Sequence, residues 1–188
     1  MDRTGISSVP GAEEAIRELS ESGMRVCLVS SLPRRLLGLA LDTLGWWRLA
    51  DLTLCPDDVP RGCPWPDLML AAMLRLGVED VRAAAFAGST ASEIQCAKRA
   101  GAGVVAGVLT GGHTGERLRS AGATHLIDGI AQLPGLLLGE TTRATEPTPG
   151  SPPAEAGAAG GPAAAPASAA STAAPRPQVP LERRNLGL

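Results

Sequence analysis

Short apolar runs alternate with amphipathic segments along the first three quarters of the chain. Valine-rich runs such as 24–31 are typical of buried strands, whereas segments such as 11–23 place their apolar side chains on one helical face. Proline or glycine marks the boundaries, for example at Pro10, Gly23 and Gly45. This alternation predicts an α/β fold with three layers, in which a parallel, doubly wound, Rossmann-like sheet carries helices on both faces.

The predicted elements follow one another in a regular order. Helices are expected at 11–23, 33–45, 66–77, 88–103 and 130–137, and strands at 24–31, 50–55, 83–88, 104–109 and 124–127. The segment 111–123 is rich in turn-forming residues and is expected to connect the last two strands without a helix of its own.

A compositionally biased segment follows the alternating part. Nearly every residue in 144–180 is Ala, Pro, Gly or Ser, in a chain with a single Phe and no Tyr. Such a segment has too few branched or aromatic side chains to offset the entropy lost on ordering, and its prolines interrupt helices. The sequence therefore predicts a folded core at 1–139 and a disordered tail with polyproline II character at 140–188.

Charge, hydropathy and cysteine spacing exclude several classes of protein. The formal net charge of −2 offers no basic surface for nucleic acid. No apolar run is long enough to span a membrane, and the N-terminus lacks the pattern of a secretory signal. We therefore expect a cytoplasmic protein that binds neither nucleic acid nor membranes. Cys27, Cys55, Cys63 and Cys96 form no C-x-x-C pair, which argues against a zinc site or a disulfide framework.

The candidate functional residues come directly after the predicted strands. Ligands of doubly wound sheets bind beyond the carboxyl ends of the strands. Four places meet this condition, namely 30–31, 61–64, 88–90 together with Glu93, and 110–113.

Several stretches of the chain resemble a known family in their order and spacing. They are PGAEEAIRELSESGMRVCLVSS, LGWW, CPDDVPRGCPWPDLMLAAMLRLGVEDV, AAFAGSTASEIQCAKRAGAGVVAGVLTGGHT and AGATHLIDGIAQLPGLL. Together they resemble the phosphonatase-like hydrolases, similar to phosphonoacetaldehyde hydrolase, of the haloacid dehalogenase-like (HAD) superfamily of phosphohydrolases. The similarity extends over 9–138.

This resemblance implies a site for phosphoryl transfer. In the family, an Asp in an N-terminal D-x-[DA]-G-T motif attacks phosphorus, and a Ser or Thr after the second strand binds a phosphoryl oxygen. A Lys or Arg neutralises the transferring group, and an acidic pair in a G-D-x-x-x-D motif holds Mg²⁺. Positioning and charge neutralisation supply most of the rate in such reactions. By this correspondence Ser30 takes the hydroxyl position, and the ligand is a small phosphorylated or phosphonate molecule.

Three positions depart from the family pattern. Cys63, in RGCPWPD, stands at the cation position, where a neutral thiol cannot replace a guanidinium. Arg61 is the candidate substitute cation. Ser89, in GSTASEI, stands at the position of the metal-binding Asp, and Glu93 stands at that of the second acid. Because Mg²⁺ binds through carboxylates, a weak or lost magnesium site is expected, with Glu93 serving instead at the positive end of a helix.

The family's nucleophile strand and helical cap do not precede the first predicted helix at Pro10. In the family, that strand lies in the middle of the sheet, between the strands corresponding to 24–31 and 83–88. Without it, both strands would expose unpaired N–H and C=O groups. We therefore expect them either to pair directly or to receive another chain, from a homo-oligomer or a partner.

Three hypotheses about function remain. In the first, the chain is a catalytically inactive pseudoenzyme or binding module, which agrees with the substitutions at Cys63 and Ser89. In the second, it is an active Mg²⁺-dependent phosphatase or phosphonatase. In the third, the start codon is misplaced, and the nucleophile strand and cap are encoded upstream.

Overall fold

A six-stranded sheet forms the centre of the computed structural model, which describes residues 6–139 and the backbone of 168–172. The strands are β1 (Arg25–Val29), β2 (Leu52–Leu54), β3 (Ala84–Gly88), β4 (Val104–Val108), β5 (His125–Ile127) and β6 (Ser168–Thr172). The helices are α1 (Ala12–Glu21), α2 (Arg34–Leu44), α3 (Asp67–Arg75), α4 (Ala91–Ala100), α5 (Gly115–Ala121) and α6 (Leu133–Leu138). Across the sheet the strand order is β2-β1-β6-β3-β4-β5.

The predicted α/β architecture is confirmed. β1 pairs with β2, β3 with β4 and β4 with β5, all in parallel. One apolar cluster lies between the sheet and α3, α4 and α5, and a second lies between the sheet and α1, α2 and α6. β3 and β4 carry no polar side chain, as is typical of strands that helices cover on both faces.

The place between β1 and β3 belongs to β6. This strand is antiparallel to both neighbours, and its register sets Val29 opposite Ser168 and Phe86 opposite Ala170. The predicted direct pairing of β1 with β3 is therefore wrong. A strand inserted there forms main-chain hydrogen bonds along both edges, and these bonds do not depend on the apolar area of its side chains. The rest of the predicted disordered tail, 140–167 and 173–188, lies outside the described residues, and a homo-oligomer or partner chain stays a prediction.

Helix α5 was not expected in the turn-rich segment 111–123. The Thr114 hydroxyl accepts a hydrogen bond from the N–H of Arg117 and caps the helix, and Gly122 ends it at a φ of 113°. Leu118 and Ala121 provide a short buried face. The helix was missed because the segment is rich in glycine and contains only a short apolar periodicity. None of the helices in the described part of the chain has the length and hydropathy needed to cross a membrane.

Candidate functional site

The carboxyl ends of β1, β3 and β4 border a cavity of about 640 Å³. Ser30, Ser89 and Thr110 contribute hydroxyl groups at these strand ends, and Ser7 and Ser8 contribute two more from the chain before α1. Most of the remaining lining is apolar and comes from the chain before α1, from α1 and α2, and from the turn after α2, with Val9, Ile16, Leu36, Leu37, Leu44 and Trp46. Among the described residues that line the cavity, none has a charged side chain.

Ser30 lies at this edge because it directly follows the buried strand β1. Its side chain is buried, its N–H donates to the carbonyl of Leu54 at 2.9 Å, and its Oγ accepts from the N–H of Leu32 at 3.0 Å. These two contacts fix the position of the residue. A serine hydroxyl that accepts one hydrogen bond can still donate its own proton, so Ser30 can bind an oxygen of a ligand in the cavity.

Ser89 follows β3, lines the same cavity and is also buried. A Cβ added to Gly111 would lie 2.0 Å from the Cβ of Ser89 and 2.3 Å from its Oγ. The loop after β4 therefore packs its backbone directly on this side chain, and glycine at position 111 permits that approach. A small hydroxyl side chain suits the space between β3 and this loop.

Glu93 caps helix α4 instead of facing the cavity. Its Oε2 accepts hydrogen bonds from the N–H groups of Ser89 and Thr90, both at 3.1 Å, and the Thr90 hydroxyl accepts from the N–H of Glu93. This reciprocal arrangement is a capping box. The carboxylate is thus engaged by main-chain donors of its own helix, in agreement with the helix-end role considered for it.

Replacing Glu93 with Ala should lower the free energy of unfolding by about 1 kcal/mol, because two main-chain donors lose their acceptor. Glu93→Gln should retain most of the stability, since an amide oxygen can accept the same bonds. Urea denaturation with and without Mg²⁺ measures both effects. If Mg²⁺ stabilises the wild type but not Glu93→Gln, then the carboxylate binds metal and its role as a cap is secondary.

Arg61 and Cys63 lie away from the cavity. The Arg61 guanidinium donates twice to Asp67, at 2.8 and 3.1 Å, and lies over the ring of Trp65. The same hydrogen bonds hold the pKa of Asp67 below its ordinary value. In this conformation Arg61 does not reach Ser30 or Ser89, so its role as a substitute cation stays a prediction. Cys63 packs instead against the core cluster that contains Cys96.

The roles of two further residues at this edge, Thr90 and His113, were not predicted from the sequence. Thr90 completes the capping box, and the Nδ1 of His113 accepts a hydrogen bond from the N–H of Ala91 at 2.8 Å. His113 therefore joins the loop after β4 to the first turn of α4. The sequence T-x-x-E at 90–93 is a recognisable capping signal, whereas the contact of His113 depends on the fold.

The residues present do not fit the magnesium ion that the resemblance implies. No group of three or more His, Cys, Asp or Glu side chains in the described part of the chain could hold a metal ion. At the expected position, Ser89 offers a hydroxyl and the Glu93 carboxylate already binds main-chain donors. A hard cation that requires carboxylate oxygens has little to bind here.

Known proteins share both the sequence and the fold of this chain. Residues 3–101 match the haloacid dehalogenase-like hydrolases. The phosphonoacetaldehyde hydrolase of Pseudomonas fluorescens (strain Pf0-1) is 32% identical over 123 residues, which cover 63% of this chain and 44% of that protein. The phosphonoacetaldehyde hydrolase of Bordetella pertussis is 30% identical over 158 residues, covering 72% of this chain and 57% of that protein. The chain thus spans about half the length of these relatives.

Solved structures agree with this relationship. A HAD family hydrolase from Deinococcus radiodurans R1, determined with bound phosphate and sodium, has a TM-score of 0.64 and 29% identity over 72% of this chain and 62% of that one. A phosphonoacetaldehyde hydrolase-like protein from Oleispira antarctica has a TM-score of 0.62 and 25% identity over 70% of this chain and 56% of that one. The chain therefore belongs to the haloacid dehalogenase-like hydrolase family and is similar to its phosphatases and phosphonatases.

Proposed function

We propose that this chain is a non-catalytic member of its family, a pseudoenzyme that acts as a binding module. The observation that carries the proposal is the cavity at the carboxyl edge of the sheet, whose described lining contains no charged side chain. Phosphoryl transfer depends on cations and carboxylates placed around the reacting phosphorus. An uncharged wall does not supply this neutralisation.

The two charged candidates from the sequence, Arg61 and Glu93, are engaged elsewhere, which supports the same proposal. Arg61 pairs with Asp67, and Glu93 caps α4. Recruiting either group into the cavity would break existing hydrogen bonds. Groups that act together in catalysis also fail together, so the Ser30 hydroxyl by itself supplies little rate.

Binding of a small molecule, in contrast to catalysis, requires only hydrogen-bonding groups and apolar surface, and the cavity has both. Hydroxyls at Ser30, Ser89 and Thr110 face an apolar wall, a combination that suits a small molecule with an oxygen-rich head and an apolar body. By family resemblance the ligand is a small phosphorylated or phosphonate molecule. The lack of a cation predicts weak binding of the doubly charged form.

The alternative is a Mg²⁺-dependent hydrolase of a small phosphorylated or phosphonate metabolite, completed by a nucleophile segment that is not in this sequence. The similarity to phosphonoacetaldehyde hydrolases over 44% of the length of one of them favours this alternative. It requires that an added segment supply both a nucleophile and part of the missing charge.

An activity assay on the purified chain separates the two functions. With p-nitrophenyl phosphate or phosphonoacetaldehyde, we expect the rate with Mg²⁺ to equal that of a protein-free blank. Metal-dependent turnover that Ser30→Ala abolishes would overturn the proposal. The matched control is Ser31→Ala, since Ser31 is exposed and does not line the cavity.

A further inference from the structure

The loop at 61–65 is held against one face of helix α4. The Cys96 thiol donates to the carbonyl of Trp65 at 2.9 Å, and the Arg99 guanidinium donates to the carbonyl of Pro64 at 2.8 Å. The guanidinium groups of Arg61 and Arg99 also lie over the Trp65 ring, 4.8 and 5.3 Å from its centre. Because Cys96 and Arg99 are three residues apart on α4, they act from the same helical face.

This clamp brings two thiols together. Cys63 is half-buried and packs against the apolar cluster that contains the fully buried Cys96, and both cysteines are free. The interaction of the two side chains raises the pKa of Cys63 and lowers that of Cys96. The other two cysteines are buried singly, and burial raises the pKa of Cys27 to about 12.

We propose that Cys63 and Cys96 form a reversible dithiol–disulfide pair, a modification site that small-molecule disulfides oxidise. The geometry supports it, since the Cys63 thiol is partly accessible, it packs against the cluster that contains Cys96, and the loop that carries Cys63 is already hydrogen-bonded to the helix that carries Cys96. Cys27 and Cys55 lack this combination, because each is fully buried and neither lies on the loop held against α4.

The reaction proceeds by two thiol–disulfide exchanges. One thiol of the pair loses its proton, and its sulfur attacks a sulfur of the reagent R–S–S–R, forming a mixed disulfide and releasing one R–S⁻. The second protein thiol then loses its proton, and its sulfur displaces the remaining R–S⁻ as the Cys63–Cys96 bond forms. Two electrons pass from the protein to the reagent, and two protons end on the two R–SH products. A reducing thiol reverses both steps.

Mass spectrometry on the full chain tests the proposal directly. The folded protein is incubated with oxidised glutathione, and remaining thiols are alkylated before digestion with trypsin. Each cysteine falls on its own tryptic peptide, and those of Cys63 and Cys96 are 62–75 and 83–98. We expect a link between these two peptides, in at least about tenfold excess over any link that involves Cys27 or Cys55, and its loss on adding dithiothreitol.

Variants distinguish the pair from general cysteine oxidation. Cys63→Ser and Cys96→Ala should each abolish the link, whereas Cys27→Ser should leave it unchanged. Should one of these variants not fold, the wild-type peptide map still decides. The proposal is overturned if folded protein shows no 62–75 to 83–98 link under conditions that oxidise the unfolded chain. It is equally overturned if the link joins two copies of the chain, or if Cys27 or Cys55 reacts as readily.

Discussion

Replacing Ala170 with proline should lower the free energy of unfolding by about 3 kcal/mol or more. Ala170 is the middle residue of β6, and its register sets it opposite Cys27 on β1 and Phe86 on β3. Proline has no N–H to donate and is excluded from central strands, so the substitution breaks a ladder that joins the two halves of the sheet. β1 and β3 would then expose unpaired main-chain groups.

Ala158→Pro is the matched control, because it makes the same change in the same Ala-rich segment but outside the strand. Urea denaturation gives the two stabilities, and hydrogen exchange follows the amides of β1 and β3. We expect faster exchange and concentration-dependent association for Ala170→Pro alone, since an open strand edge recruits other chains. Equal stability and equal exchange in the two variants would show that the tail does not hold this place.

The contrast between β6 and the other strands shows which part of this fold can be predicted from sequence. β1 and β4 are apolar runs between glycine-bounded helices, and both were expected within a residue or two of their observed bounds. These strands can be predicted because their buried side chains form apolar runs in the sequence. β6 consists of Ser, Ala and Thr, and its place depends on main-chain bonds to two vacant edges. The amino-acid composition of 168–172 therefore does not predict that this segment pairs with β1 and β3.

In the candidate site, too, some features could be predicted from the sequence and others could not. Ser30 and Ser89 were expected together because each follows a strand, and strand ends of a parallel sheet share one edge. The engagement of Arg61 by Asp67 and the meeting of Cys63 with Cys96 were not expected. Residues 63 and 96 are far apart in sequence, so their contact depends on how a loop lies on α4. Spacing rules for cysteine pairs address neighbours such as C-x-x-C and do not detect it.

Replacing Phe86 with alanine should lower the free energy of unfolding by about 3–5 kcal/mol, as buried Phe to Ala changes do. Phe86 is the chain's one Phe and is 1% exposed, and its neighbours along β3 are alanine and glycine. In a core with so few aromatic residues, its ring fills space that no other side chain of the strand can reach. A cavity would therefore remain under α3 and α4.

The ring of Phe86 also supports the candidate site. A Cβ added to Gly88 would lie 2.6 Å from Cε1 of Phe86, so the ring packs directly under the end of β3 that precedes Ser89. We therefore expect faster hydrogen exchange at 88–90 in Phe86→Ala, in addition to the lower urea midpoint. Phe86→Leu should cost about 1 kcal/mol, and Leu74→Ala, at a side chain 80% exposed, should change stability by less than about 0.5 kcal/mol. If Phe86→Ala costs no more than Leu74→Ala, the packing of β3 against α3 and α4 does not depend on this ring.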